Sequence, residues 1–216
     1  MTIKLVRKIP WSELEANVRS VPLNKPAADG SPILVYRDAR ISLRELDSQE
    51  VNPTSFYLLR SGLAMQEKLQ RELAQEYGID SLHLDGAVEI ENEKGEIWTL
   101  TPPIIEVTPR NVQYQAKEGE ISYSDVVPIQ IAIINDGLHR VATARKQGRT
   151  FNGIFISGAD PNFPFYAHPN GWDRITEMDA VPKTKPEKKF YSREDCYALY
   201  RNFGVLGCGA PRGTSK

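Results

Sequence analysis

Residues 131–148, "IAIINDGLHRVATARKQG", decide the fold that the sequence predicts. The stretch begins as an apolar run, breaks at Asn135, Asp136 and Gly137, and continues with good helix formers as far as Gly148. A second apolar run, "FNGIFISG", follows closely. The order therefore predicts a strand, a helix and another strand, with a short loop where the first strand meets the helix.

This loop has the chemistry of a phosphate site. The first backbone N–H groups of a helix have no partner inside the helix, and they lie at the positive end of its dipole. Arg140 adds a planar fork that binds phosphate oxygens in pairs, and His139 adds another hydrogen-bonding group. An ordinary strand-to-helix turn with a surface arginine explains the same residue types, so both interpretations stay open at this point.

The rest of the chain predicts an α+β fold. The capping-box spacing in "WSELEANV" predicts a short helix, and "ILVYRDARISL" predicts two short strands around a turn. Residues 63–77 are helix formers, and Gly78 is a typical stop. "AVEIENEKGEIWTL" predicts a hairpin, and the apolar runs "PPIIEV" and "VVPIQIAII" predict buried strands. Ser192 is placed to cap a last helix that ends at Gly204.

Composition divides the chain into three segments. Residues 1–40 predict an N-terminal helix and strand extension, and residues 41–158 hold the predicted core with its mixed sheet. Residues 159–216 are rich in proline and aromatic residues. We expect them to form a loop and a helix packed on the core, because the aromatic side chains need a surface to bury.

Charge and hydropathy limit the function classes. With 27 Lys and Arg against 28 Asp and Glu, the net charge is -1, so nucleic acid is a possible partner but not a favoured one. No apolar stretch has the length of a membrane span or a signal peptide, so we expect a cytoplasmic protein with no membrane partner. The two cysteines, Cys196 and Cys208, do not have metal-ligand spacing, and we assign no metal ligands from the sequence.

The stretch "IINDGLHRVATARKQGRTFNGIFISG", preceded by "PPIIEV", resembles the ParB/sulfiredoxin superfamily. The resemblance covers residues 41–158 and implies a compact α+β domain. In that superfamily a signature loop and the start of the following helix hold the phosphates of a nucleotide. The residues that the resemblance assigns to nucleotide binding are Asp136, Gly137, Leu138, His139 and Arg140.

Differences between this chain and the motifs of each branch of the superfamily indicate which branch it resembles most. Sulfiredoxins carry a catalytic cysteine where this chain has Leu138, which argues against sulfinic acid reduction. Partition proteins continue into a helix-turn-helix region, whereas the 58 residues after Gly158 are largely irregular in pattern. The motif is most similar to that of the free serine kinases, which place a glutamate after an early strand. "ISLRELDSQEV" has that form, with Glu50 at the glutamate position.

This resemblance implies a phosphotransferase that uses ATP or ADP, or else CTP, with Mg²⁺ and a small hydroxyl-bearing acceptor such as serine. Glu50 would be the base, Asp136 would position phosphate, magnesium or acceptor, and His139 would complete the catalytic set. A cluster in "YAHPNGWD" is a candidate wall of the acceptor pocket, although a loop pinned by a packed tryptophan explains it as well. Its candidate substrate residues are His168, Asn170 and Trp172.

Two other functions stay open. One is a nucleic-acid enzyme, either a nuclease or a kinase of a modified base. The other is a non-catalytic nucleotide-binding module whose aromatic segment docks a partner. The sequence leaves the nucleotide base, the acceptor and the oligomeric state undetermined.

Overall fold

A computed structural model describes residues 2–118 and 121–208. It confirms the α+β fold class. The helices are α1 (Trp11–Arg19), α2 (Arg60–Tyr77), α3 (Leu138–Gln147) and α4 (Lys185–Lys188). The strands are β1 (Ile3–Ile9), β2 (Arg40–Leu46), β3 (Tyr57–Leu59), β4 (Ala87–Asn92), β5 (Ile97–Leu100), β6 (Ile104–Glu118), β7 (Ile121–Asp136), β8 (Phe151–Ser157) and β9 (Thr176–Met178).

The main sheet has the strand order β2-β8-β6-β7 and is mixed, as expected. β6 runs parallel to β8, whereas β2 and β7 are antiparallel to their neighbours. Two smaller sheets have the orders β1-β4-β5 and β3-β9. The predicted strand, helix and strand are β7, α3 and β8, so α3 begins where β7 leaves the edge of the main sheet.

The largest core cluster combines residues from all three segments of the chain. Ile9 and Val18 from the N-terminal segment pack with Ile104 and Ile156 of the main sheet, and Phe203 joins them from the C-terminal segment. Burial of this kind contributes roughly 1.5–3 kcal/mol for each large aliphatic or aromatic side chain. The three segments therefore stabilise one another through a shared core.

A buried ion pair ties the C-terminal segment to the main sheet. Arg201 grips Glu106 of β6 with two hydrogen bonds, Nη2 to Oε1 at 2.7 Å and Nε to Oε2 at 3.0 Å. Tyr36 and Asn135 also donate to Oε2 of Glu106, at 2.6 and 3.1 Å. The ion-pair side chains of Arg201 and Glu106 are 0% and 2% exposed, so this pair is shielded from solvent.

The predicted helix that begins at Ser192 is wrong. The segment forms two short 3₁₀ turns, Cys196–Leu199 and Phe203–Leu206, and the backbone between them is extended at Tyr200. There, Arg201 makes a β-bridge with Leu23 and directs its guanidinium to Glu106. A buried ion pair and a β-bridge outweigh the weak preference of this segment for a helix.

Three other local predictions need correction. The predicted strand over 33–37 is a turn, and the pairing with β8 begins only at Arg40. Helix α1 follows Pro10 and has no side-chain cap, so Ser12 lies inside it. Residues 126–130 of β7, predicted as part of a buried strand, are exposed, because β6 and β7 extend beyond the rest of the sheet as a two-stranded ribbon.

The described helices were also tested as membrane spans. Within residues 2–118 and 121–208, no helix combines the length and hydropathy that a bilayer crossing requires.

Candidate phosphate site at the start of helix α3

Gly137 shapes the start of α3. Its φ is +84°, in the left-handed region, and a Cβ there would lie 2.9 Å from Cα of Pro103. Glycine is therefore required both for the backbone conformation and for the close approach. Gly137 is the N-cap residue, and its helix receives no side-chain cap. The first N–H groups of α3 are thus available for a ligand at the positive end of the helix dipole.

Arg140 lies in the first turn of α3 and has a donor group without a hydrogen-bond partner among the described residues. Its side chain is 7% exposed, and its closest carboxylate contact is a loose one, 3.7 Å from Nη2 to Oδ2 of Asp136. Its Nη1 atom is buried and has no hydrogen-bond partner within the part of the chain that the structure describes. Burial lowers the pKa of Arg140, but an arginine remains protonated in proteins. A buried cation with a free donor favours an anion beside it.

His139 is held in one orientation. Its Nε2 accepts a hydrogen bond from the backbone N–H of Leu59 at 3.2 Å, and its ring packs so closely on Gly62 that a Cβ there would lie 2.5 Å from Nε2. Burial lowers the pKa of His139, although the charge of Asp136 acts in the opposite direction. The imidazole is therefore neutral at pH 7, and it links α2 to α3 without adding positive charge.

The helix start opens into a cavity of 420 Å³, here called the phosphate cavity. Its lining combines polar residues at the end of β7 with residues of α2 and β5, most of which are apolar. The lining residues are Ser55, Tyr57, Leu59, Met65, Gln66, Leu69, Trp98, Thr99, Leu100, Asn135, Asp136, Gly137, Leu138, His139, Arg140 and Lys189. All five residues that the resemblance assigned to nucleotide binding lie in this lining.

Lys189 is a second cation in the phosphate cavity. The sequence places it in a basic run that could attract phosphate, but it does not single out Lys189 as a site residue. Its Nζ donates to Tyr166 Oη at 2.9 Å and to Thr54 Oγ1 at 3.1 Å, which are neutral partners. Burial lowers the pKa of Lys189 to about 8. In the sequence it belongs to the run "KTKPEKK", which is typical of a solvated loop. The β-bridge between Lys189 and Ser55, together with these two hydrogen bonds, brings it to the site.

A second cavity of 880 Å³, here called the tyrosine cleft, adjoins the first. Asn135, Asp136 and Lys189 lie in the linings of both cavities. Cys208 lies in the tyrosine cleft, and burial raises the pKa of its thiol to about 11. It is therefore protonated at neutral pH and is a poor nucleophile.

Glu50 lies outside both linings. Its Oε2 accepts a hydrogen bond from the backbone N–H of Asp47 at 2.6 Å, as part of a capping box at the 3₁₀ turn Ser48–Glu50. This contact gives the carboxylate a local structural role. Its predicted role as a base stays a prediction.

The three candidate substrate residues also lie outside both linings. His168 stacks on Phe190, with ring centroids 4.7 Å apart. Asn170 donates to the carbonyl of Ser55 at 3.1 Å. Trp172 donates to the carbonyls of Ser48 and Val51 at 2.9 and 3.1 Å. The contacts of Asn170 and Trp172 hold the loop against residues 48–55, a segment that ends at Ser55 in the lining of the phosphate cavity.

Comparisons with known proteins give a match to one family model. A search of curated proteins and a search of solved structures each found no match. The family model of the ParB CE domain matches residues 13–176, a span that includes both the start of α3 and the main sheet. This span is well over half of the chain, and the chain therefore belongs to the ParB CE domain family.

Proposed function

We propose that this protein is a nucleotide-dependent phosphotransferase that binds nucleotide phosphates at the start of α3. The observation that carries the proposal is the buried Arg140, whose Nη1 has no partner among the described residues, beside a helix start without a side-chain cap. Backbone N–H groups, a guanidinium and Lys189 together supply the donors and charge that phosphates require. The apolar residues in the lining of the phosphate cavity, such as Leu69 and Trp98, give the rest of a nucleotide a surface to bury.

Transfer of a phosphoryl group requires alignment and charge neutralisation more than covalent work by the protein. Arg140 and Lys189 neutralise the phosphate oxygens in this proposal. Asp136 is the one carboxylate in the described lining of the phosphate cavity, and its side chain is 40% exposed. It can accept the proton of an acceptor hydroxyl group, so we assign the role of base to Asp136.

ATP or ADP, or CTP, remains the proposed donor, and magnesium the proposed metal. Magnesium neutralises charge on the phosphates when it is bound. Within residues 2–118 and 121–208, no group of three or more histidine, cysteine, aspartate or glutamate side chains is arranged to hold a metal ion. The lining of the phosphate cavity, with Asp136 as its one carboxylate, fits magnesium that arrives with the nucleotide and keeps phosphate oxygens and water as its main ligands. The cytoplasm, where nucleotides are abundant, remains the proposed location.

The variant Arg140→Met tests the proposed phosphate site. It should weaken binding of the non-hydrolysable analogue AMP-PNP by roughly 10- to 150-fold, because a hydrogen bond to a charged group contributes about 1.5–3 kcal/mol. Arg145→Met is the matched control, since Arg145 lies on the same helix but outside the phosphate cavity lining, stacked over Trp172. Calorimetric titration of both variants, with circular dichroism to verify folding, measures the difference. Equal affinities in the two variants would refute the site.

The charge of Lys189 predicts that AMP-PNP affinity depends on pH. Lys189 is cationic below its pKa of about 8, so AMP-PNP affinity should be highest below pH 8 and fall as the pH rises through that value. Burial raises the pKa of Tyr166 well above this range and lowers that of His139 below it. Titrations from pH 7 to 9.5 should show the fall in wild type, whereas Lys189→Arg should bind with little change. A wild-type affinity that is constant over this range would contradict the role of Lys189.

A further inference from the structure

The tyrosine cleft has room for an acceptor larger than a free amino acid. Its volume of 880 Å³ lies near the upper end of the range that holds drug-sized ligands, roughly 300–1,000 Å³. A free amino acid such as serine would leave most of it unfilled. The cleft therefore accommodates a larger molecule.

The lining of the cleft combines an exposed aromatic ring with uncommitted amide groups. Tyr197 is 67% exposed and is braced edge-on by Tyr200, with ring centroids 6.0 Å apart. Asn24 and Asn202 also line the cleft, and their side-chain amides make no hydrogen bond to any residue that the structure describes. Aromatic rings stack on flat heterocycles, and amides present both donors and acceptors to the edge of such a ring.

Both cavities share one wall. Asn135, Asp136 and Lys189 lie in both linings, whereas Gly137, Leu138, His139 and Arg140 line the phosphate cavity alone. A nucleotide whose phosphates contact the start of α3 therefore lies in the phosphate cavity. Its terminal phosphate can then contact a second molecule bound in the tyrosine cleft, at the shared residues Asp136 and Lys189.

We propose that the tyrosine cleft is the acceptor subsite and that it takes a flat heterocycle carrying a hydroxyl group, the chemistry of a nucleoside. This inference rests on the proposed phosphotransferase function. The hydroxyl oxygen of the acceptor forms a bond to the γ-phosphorus of ATP, while the bond from that phosphorus to the β–γ bridging oxygen breaks. The leaving ADP keeps the electron pair of the broken bond, and Asp136 takes the hydroxyl proton.

Calorimetry on protein saturated with AMP-PNP tests the subsite. The probes are adenosine, guanosine, cytidine and thymidine, with serine for comparison and a single-stranded oligonucleotide to separate free nucleosides from nucleosides in a strand. At least one nucleoside or the oligonucleotide should bind more tightly than serine. Tyr197→Ala should weaken that binding by roughly 5- to 150-fold, the range for loss of one stacked aromatic ring. Tyr197→Phe should retain it.

Val181→Ala is the matched control, because Val181 is an exposed apolar residue of the same segment outside both linings. It should change neither AMP-PNP nor nucleoside affinity. Loss of AMP-PNP affinity in Tyr197→Ala would overturn the inference, since the cleft would then hold the base of the nucleotide. Binding of serine alone, or of no probe, would also overturn it while leaving the phosphate site intact. Failure of wild type to bind any of AMP-PNP, ADP and CTP would instead remove the phosphotransferase proposal itself.

Discussion

Arg201→Met should lower the free energy of unfolding by about 3–5 kcal/mol, because it leaves the buried carboxylate of Glu106 without its cation. Tyr36 and Asn135 would still donate to Glu106, but neutral donors do not replace a buried positive charge. For a chain of 216 residues, each kcal/mol corresponds to roughly 2–4 °C in melting temperature. Thermal and urea unfolding, followed by circular dichroism, measure the loss.

Two further variants distinguish the effect of an unpaired buried charge on stability from the general effect of replacing an arginine. Arg193→Met removes an exposed partner of Asp195 and should cost no more than about 1 kcal/mol. The double variant with Arg201→Met and Glu106→Leu should be more stable than Arg201→Met alone, since no unpaired charge is left behind. An Arg201→Met protein as stable as the Arg193→Met control would show that the buried pair does not hold the C-terminal segment to the sheet.

Asp136→Asn should reduce phosphoryl transfer by about 10²–10⁴-fold, the usual contribution of a general acid or base. The amide has almost the same shape as the carboxylate but cannot take the acceptor proton. AMP-PNP affinity should stay the same or improve, because the variant removes a negative charge beside the phosphate cavity. Rates of ADP release at saturating acceptor, together with AMP-PNP titration, separate the loss of turnover from any loss of binding.

Glu50→Gln decides between the two candidate bases. Because Glu50 caps the turn Ser48–Glu50 and lies outside both cavity linings, we expect a modest loss of stability and a rate within a few-fold of wild type. A large fall in rate for Glu50→Gln with a normal rate for Asp136→Asn would return the role of base to Glu50. A low rate in both variants would require two carboxylates at the reacting atoms.

Local sequence signals were sufficient where neighbouring residues determine the structure. Gly78 and Gly148 end α2 and α3 in the left-handed conformation, as predicted. The hairpin of β4 and β5 also forms as predicted. The residues from Asp136 to Arg140 all line the phosphate cavity, because a strand end and a helix start bring consecutive residues together. These features depend on turn chemistry and helix propensity, which a short window of sequence contains.

Long-range contacts account for what the sequence did not reveal. The C-terminal segment has the apolar spacing of a helix, but Arg201 pairs with Glu106, which lies 95 positions earlier in the chain. Lys189 looks like one of several solvated lysines, yet Thr54 and Tyr166 fix it inside the phosphate cavity. Residues 126–129 of β7 are apolar without being buried, because no strand other than β6 pairs with them in the described residues. Sequence periodicity contains no information about such distant partners.

The most direct test of the phosphate site follows the backbone amides of the protein by ¹⁵N NMR during titration with AMP-PNP and magnesium. We expect the largest chemical-shift changes at Gly137, Leu138, His139 and Arg140, with smaller changes at Lys189. Resonances at the far end of α3, near Gln147, should move little. Changes that are absent from the start of α3, or that occur only elsewhere in the protein, would contradict the assignment of this helix as the nucleotide phosphate site.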